Sequence, residues 1–342
     1  MFKLLKRGFN SFKEFIVEEY KFLFCLAFFY IVCTWPVNYY IIIGGGISDV
    51  KERIVVEDGY DSKGSFNLSY VSELKGTVLS YLLSYVIPTW DRESMDDYKY
   101  SNTDSYDDIE FRGDIDLKST NASAVKVAYS LAGKSVEEIS SKIYVIAVFD
   151  EYKTNFLVGD ELVSIDEQIF NDVSEYSEYV QKFSVGDVVN VKVIRDGKEK
   201  LIKCKIYEEK ERKIFGISLQ VVREYKTEPK IKINFKSEES GPSGGLITTL
   251  EIYDQLFSKD ITNSKKIAGT GTVNIKGNVG DIGGVRYKLI GAAAGDADIF
   301  LVPNGKNYEE AIKVKKEKKL DIEVIGVSTV EEALEKLQES AD

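Results

Sequence analysis

The chain of 342 residues contains no histidine. That absence excludes Ser-His-Asp and Cys-His hydrolases, histidine-ligated zinc and imidazole acid/base catalysis. Chemistry here must run on Ser, Thr, Lys, Asp, Glu, Tyr or backbone groups. Cysteine is scarce as well. Of the three, Cys25 and Cys33 lie in the most apolar stretch and Cys204 stands alone, so the remainder cannot close an internal disulfide. This fits a Gram-positive exterior or a cytoplasm better than a disulfide-stapled secreted domain. Excess positive charge is also missing. The formal charge of −11 argues against a nucleic-acid partner, which needs a basic face. What is present, 44% apolar and 30% charged residues, is ordinary globular material with length for two or three modest domains.

One long uncharged run exists, from Phe22 through Ile43. About 20 such residues can cross a hydrocarbon core of roughly 30 Å as a helix. Phe22 to Trp35 is its firmest part, since Pro36 and Asn38 interrupt the second half, and Tyr39 and Tyr40 would sit at or beyond the outer interface. No small-x-small site precedes Gly44, so an uncleaved anchor is expected rather than a signal peptide. Lys3, Lys6, Arg7, Lys13 and Lys21 precede the run. The positive-inside rule then puts a tail of residues 1–21 in the cytoplasm, an anchor at 22–43, and the rest outside the cell.

Residues 44–135 give the weakest pattern and no clear fold. Tyr39 to Ile43 and Ile54 to Val56 are strand-like, Val78 to Leu83 predicts a short helix, and Val125, Ala128 and Ala132 space a helix over Ala122 to Ala132. Between Trp90 and Asp116, Asp104, Asp107, Asp108 and Glu110 crowd together without the spacing or glycine of an EF-hand loop. A solvated acidic loop is expected there, with no metal site.

The texture changes after Gly133. Ile143 to Val148 is a short apolar strand, and Val158-Gly159-Asp160-Glu161-Leu162 is a turn entering an alternating strand. Val173, Tyr176, Val180 and Phe183 share one face of a helix over Asp172 to Phe183, with Asp172 and Glu175 as its capping pair. Val189, Val191 and Val193 alternate into Asp196-Gly197, and Ile202, Cys204 and Ile206 alternate back, which predicts a hairpin. This order, with Val185-Gly186-Asp187 and Arg195-Asp196-Gly197-Lys198, resembles bacterial PDZ domains over residues 136–212. No Gly-Leu-Gly-Phe-like loop precedes Ile143. The resemblance implies that a peptide adds as a strand at a sheet edge.

From about Pro229 the chain reads as α/β. Ile231 to Phe235 is strand-like, and Leu246, Leu250, Tyr253 and Phe257 form the apolar stripe of a helix starting near Ser243. In Gly241-Pro242-Ser243-Gly244-Gly245 the glycines permit close backbone approach and Pro242 fixes the entry angle. A helix start there aims free N–H groups at the serine, the natural setting of an oxyanion hole. Phosphate binding is the competing use of such a loop, yet no Gly-x-x-x-x-Gly-Lys-Ser/Thr run is present. Ile267 to Gly277 alternates like a strand, and Gly283-Gly284-Val285-Arg286-Tyr287-Lys288 leads into a helix that carries Lys288 45 positions after Ser243. Without histidine, a lysine desolvated by Val285, Leu289, Ile290 and Ala292 to Ala294 is the available base.

Those glycine turns, with Gly269-Thr270-Gly271 between them, resemble the Lon-type peptidase domain over residues 228–342. Gly244 stands where alanine is more common. The resemblance implies Ser243 as nucleophile, Lys288 as general base and Thr270 as a supporting hydroxyl, with no cofactor and no metal. Membrane helix, PDZ domain and Lon-type domain together resemble the membrane-anchored, PDZ-containing Lon-like proteases of Gram-positive bacteria. The expected fold is therefore α+β multidomain: a transmembrane helix, a β-rich PDZ-like domain and a C-terminal α/β proteolytic domain. The expected function is an ATP-independent, single-pass, extracellular serine endopeptidase acting on secreted or surface peptides or unfolded protein, signalling peptides among them. A homo-oligomeric ring is compatible with the family. The alternatives are a PDZ-centred adaptor whose Lon-like domain is silent, and an enzyme that processes only itself.

Overall fold

A computed structural model describes residues 2–235 and 239–339, with side chains from residue 15 onward except residue 16. The chain divides into two compact units, residues 1–44 with 72–98, and residues 45–71 with 99–342.

In the smaller unit a helix, Phe2–Thr34, gives way to a strand, Pro36–Asp49. Proline lacks an N–H and disfavours the α conformation of the residue before it, so the helix stops there. This corrects the expected anchor at 22–43. Residues 36–43 are extended, with Tyr39 to Ile42 paired antiparallel to Ser94 to Asp91. The uncharged helical part, Phe22 to Thr34, is roughly 20 Å long at 1.5 Å per residue, well short of a bilayer core. Among the described residues no helix is long and apolar enough to cross a membrane. The short helix Val78–Leu83 forms as expected, with Thr77 and Ser80 in a capping box.

The larger unit has one core around a parallel sheet and another in an antiparallel one. The parallel strands Ser65–Thr77, Lys266–Gly269, Ile299–Pro303 and Glu323–Val327 lie side by side in that order. Alternation sends Ile267, Ile299 and Leu301 to one face and Ala268, Phe300 and Val302 to the other. The first face packs on the helix Gly245–Leu256, the second on Val285–Ala294 and Lys306–Lys318. Helices on both faces are what a parallel sheet needs to bury its two apolar sides.

Segments that precede the antiparallel sheet complete this core. Val50, Ile54, Val56 and Phe66 join it, as do Ala124, Val125, Val127, Ala128 and Tyr129 of the helix Tyr106–Leu131. That helix is far longer than the Ala122 to Ala132 segment its apolar spacing shows. It also replaces the expected acidic loop. Ser105 and Asp108 make a capping box, Asp107 and Asp108 sit at the positive helix end, and Asp104 is buried in an ion pair with Arg112.

The antiparallel sheet runs, edge to edge, Ile217–Glu228, Ser135–Val148, Glu161–Ile165, Val188–Arg195, Lys198–Lys205. The hairpin closes at Arg195 opposite Lys198, around Asp196-Gly197. The helix Val173–Val180, capped by Asp172, buries Tyr176 and Val180 against Ile143, Val145, Leu162, Val191 and Val193.

Candidate active site

Ser243 lies in a one-turn 3₁₀ segment, Pro242–Gly244, directly before the helix Gly245–Leu256. Gly241 enters the turn at φ 92°, a conformation closed to most side chains. A Cβ on Gly245 would meet Thr120 Cγ2 and the Val273 nitrogen at 2.8 Å, so glycine lets the helix start press against its neighbours. The first N–H groups of a helix lack intrahelical partners. The turn therefore gathers a hydroxyl and backbone donors at one place.

Thr270, fully buried, follows the strand Lys266–Gly269 and ties the site together. Its N–H donates to the Leu301 carbonyl at 3.0 Å, and its hydroxyl donates to the Ser243 carbonyl at 3.1 Å. The Gly271 N–H donates to that same carbonyl at 2.8 Å, while the Leu246 N–H donates to Gly271 at 3.0 Å. The strand exit thus clamps the serine turn from both sides. The expected strand over Ile267 to Gly277 is accordingly broken at Thr270-Gly271 and resumes only as Thr272–Val273.

Lys288 sits one turn into the helix Val285–Ala294, which Gly284 opens in a left-handed conformation at φ 70°. It is only 5% exposed, on a helix that also buries Val285, Leu289 and Ala292. Its Nζ donates to Thr270 Oγ1 at 3.2 Å. Lys288, Thr270 and Ser243 are therefore linked through one hydroxyl. Gly241 precedes the serine turn, Pro242 and Gly244 lie on it, and Gly245 begins the helix that follows.

Several supporting groups escaped the sequence reading. The Gly241 N–H donates to the Gly113 carbonyl at 3.1 Å, and Arg53 holds Glu239, at the loop entry, by a two-pronged contact. The buried Ser69 hydroxyl donates to the Gly269 carbonyl at 2.6 Å. On the serine helix, burial pushes the Glu251 carboxyl up to about 7, and Gln255 donates to it at 2.6 Å. These partners lie far away in sequence, so no local pattern announces them.

A second candidate site lies on the antiparallel sheet. Its edge strand, Ile217–Glu228, begins just after Ile214-Phe215-Gly216, where Gly216 has φ 72° and its Cβ would meet Tyr152 at 2.4 Å. Gln181 brackets Lys213 of this loop with a donor and an acceptor. Midway along the strand Arg223 contacts Asp172, whose carboxyl is held below its usual range by the Ser174 N–H and then by Arg223. No Gly-Leu-Gly-Phe-like loop stands ahead of Ile143; the glycine turn at Gly216 instead leads into the strand that pairs beside Ser135–Val148.

Residues 131–206 match the PDZ domain family, and residues 228–339 match the family described as Lon protease (S16) C-terminal proteolytic domain. The chain is 36% identical over 98 residues to the Lon protease of Desulfatibacillum aliphaticivorans, covering 29% of this chain and 12% of that protein. It is 35% identical over 98 residues to the Lon protease of Campylobacter jejuni subsp. jejuni, covering 28% of this chain and 12% of that protein. The PDZ domain of an SdrC-like protein from Listeria innocua is 26% identical, covering 23% of this chain and 92% of that domain at a TM-score of 0.22. The chain carries a PDZ region and a Lon-type proteolytic region, and this relationship supports a serine peptidase. It spans 12% of the length of those Lon proteases.

Proposed function

We propose that the chain is a serine endopeptidase in which Ser243 Oγ attacks a peptide carbonyl and Lys288 takes the serine proton. The observation that carries this reading is the linkage of buried Lys288 through Thr270 to the glycine-bounded Ser243 turn, within a Lon-type region. Removing an ammonium from water favours its neutral form, which is the form able to accept a proton. Backbone N–H groups at the serine turn would hold the developing oxyanion. Lys288 would then protonate the leaving amine, and water would release the acyl group from Ser243.

The substrate in this reading is an extended peptide or loosely folded chain, cleaved without ATP, and the edge strand Ile217–Glu228 receives part of it by strand addition. Association of the chain with the cell membrane belongs to the same proposal. Its support is the N-terminal helix, where Phe22, Phe24, Phe28, Phe29 and Tyr30 are exposed after five preceding basic residues. Cell fractionation tests that part, and a soluble cytoplasmic pool would refute it.

The decisive experiment compares peptides shed by cells carrying the wild type, Ser243→Ala and Lys288→Ala. Both variants should lose the same products. Equal cleavage by the wild type and Ser243→Ala would sink the reading and leave the PDZ-centred adaptor, whose edge strand needs no dyad.

A further inference from the structure

The helix Tyr106–Leu131 touches both sites, and it does so at two consecutive residues. Gly113 offers its carbonyl to the Gly241 N–H at 3.1 Å, two residues before Ser243. A Cβ there would stand 3.2 Å from Ser240 Cβ, so the serine loop is seated directly on the helix at a position with no side chain. Arg112, the preceding residue, reaches the PDZ sheet. Its Nη1 donates to the Ile146 carbonyl at 3.2 Å, and its Nη2 pairs with Asp104 at 2.8 Å. Both side chains of that pair are buried, 7% and 2% exposed.

Ile146 is a special place on the sheet. Val145 pairs with Leu219 and Ala147 with Ser218, so Ile146 is the extra residue of a β-bulge, without a partner on the edge strand. A bulge disrupts the ladder locally and leaves its extra residue unpaired. Arg112 supplies a donor to the carbonyl at that point. The bulge faces the first residues of the strand that would receive a peptide.

The geometry points to Arg112 as a positioning residue that couples the PDZ sheet to the serine turn. Asp104 fixes the guanidinium, the guanidinium fixes the bulge beneath the edge strand, and the adjoining Gly113 carbonyl fixes Gly241. A strand added at the edge shifts the bulge and is felt at Ser243 through two adjacent residues of one helix. This inference rests on the peptidase reading for its kinetic readout, and a second readout is free of it.

The test uses the whole chain with Arg112→Met, Arg112→Lys and, as a control on the same interface, Ser119→Ala, which removes only the acceptor of Gln220. On a short fluorogenic peptide, Arg112→Met should lower kcat roughly ten- to a hundredfold with KM within about twofold, because a small displacement of reacting groups is costly. Arg112→Lys should recover most of the loss, and Ser119→Ala should match the wild type. Amide hydrogen exchange at Gly241 should quicken in Arg112→Met while core amides keep their protection. If Arg112→Met does not fold, Gly113→Ala takes its place, with the same kcat loss and the same quickened exchange expected. An inactive wild type would overturn the peptidase reading alone, since Gly241 exchange still decides the coupling. Unchanged Gly241 exchange in the folded variant, or a kcat loss shared equally by Ser119→Ala, would overturn the inference.

Discussion

The two cores of the larger unit bury polar groups to different ends. Around the parallel sheet, Ser69, Thr248, Thr249, Glu251, Asp254, Gln255, Thr270 and Lys288 are all buried. Between Ser135 and Gly216, the buried polar side chains are Asp160 and Ser164. Asp160 is fully satisfied: it accepts from Arg195 at 2.6 and 2.7 Å and from the Leu157 N–H at 2.9 Å. That arrangement holds a turn against a hairpin. Lys288 instead keeps a buried amine beside a hydroxyl, at the mouth of a glycine turn. Burying polar groups is costly, and the buried amine of Lys288, one hydroxyl from a helix start, is the group that the proposed chemistry would use. The PDZ core is built for shape, and its candidate function lies at an edge.

The sharpest way to break that contrast is Lys288→Met. A methionine of similar length fills the volume without the amine, which removes the cost of burying that polar group and leaves the Thr270 hydroxyl its bond to the Ser243 carbonyl. Peptide cleavage should fall by roughly 10⁶-fold, as for loss of a nucleophile or its base. The melting temperature should hold or rise. A variant that loses stability with its activity would show Lys288 to be architectural.

Next in size is Asp160→Ala. It strands Arg195, which lies beside the turn, and the Leu157 N–H, and breaking one side of a buried pair costs about 3–5 kcal/mol. Denaturant titration followed at the PDZ sheet should register that loss. A loss below about 1 kcal/mol would mean that the pair is solvated and the contrast overstated.

These contrasts were partly legible in the residues themselves. Ser243 and Lys288 stood out beside glycine-rich turns, Thr270 entered only through the resemblance to the Lon-type domain, and the Asp196-Gly197 hairpin and the Asp172 cap are equally local. The helix Tyr106–Leu131 was legible only in its second half. Its first half carries Asp107, Asp108, Glu110, Asp114 and Asp116, and its two faces serve different partners, which blurs any single apolar stripe. The Ser105/Asp108 capping box was the available signal. Pro36 likewise signalled that the apolar run from Phe22 was half helix and half strand. The parallel pairing of Ser65 with Lys266, and the return of Ile217–Glu228 beside Ser135–Val148, join distant residues, and no local pattern encodes them.

A third prediction concerns the serine helix. The Glu251 carboxyl, pushed up to about 7 by burial, stays neutral in the fold at pH values where the unfolded chain, near 4.5, has already ionised. Its contribution to stability is therefore complete below about pH 4.5 and is lost as pH rises through 7. Asp254 is raised in the same direction, again chiefly by burial. Between pH 5 and 8 the wild type should lose roughly 2–3 kcal/mol through Glu251, and Glu251→Gln should remove most of that slope while keeping a partner for Gln255. Urea titrations at the two pH values measure it. Equal slopes in the two proteins would show that Glu251 is ionised and solvated.

The smallest expected effects separate the two roles that the contrast assigns to a single side chain. Thr270 presents its hydroxyl to Lys288 and Ser243, while its whole side chain is buried. Thr270→Ser keeps the hydroxyl and deletes a methyl, which should cost about 1 kcal/mol of stability and change kcat less than threefold or so. Thr270→Val keeps the volume and deletes the hydroxyl. One hydrogen bond is worth about 1–1.5 kcal/mol, so kcat should fall roughly tenfold, with KM little changed. The two variants should therefore trade places, the serine active but softer, the valine firmer than its activity implies. If valine matched serine in kcat, the hydroxyl would serve only to pack the sheet, and the chain from Lys288 to Ser243 would have to run by direct contact.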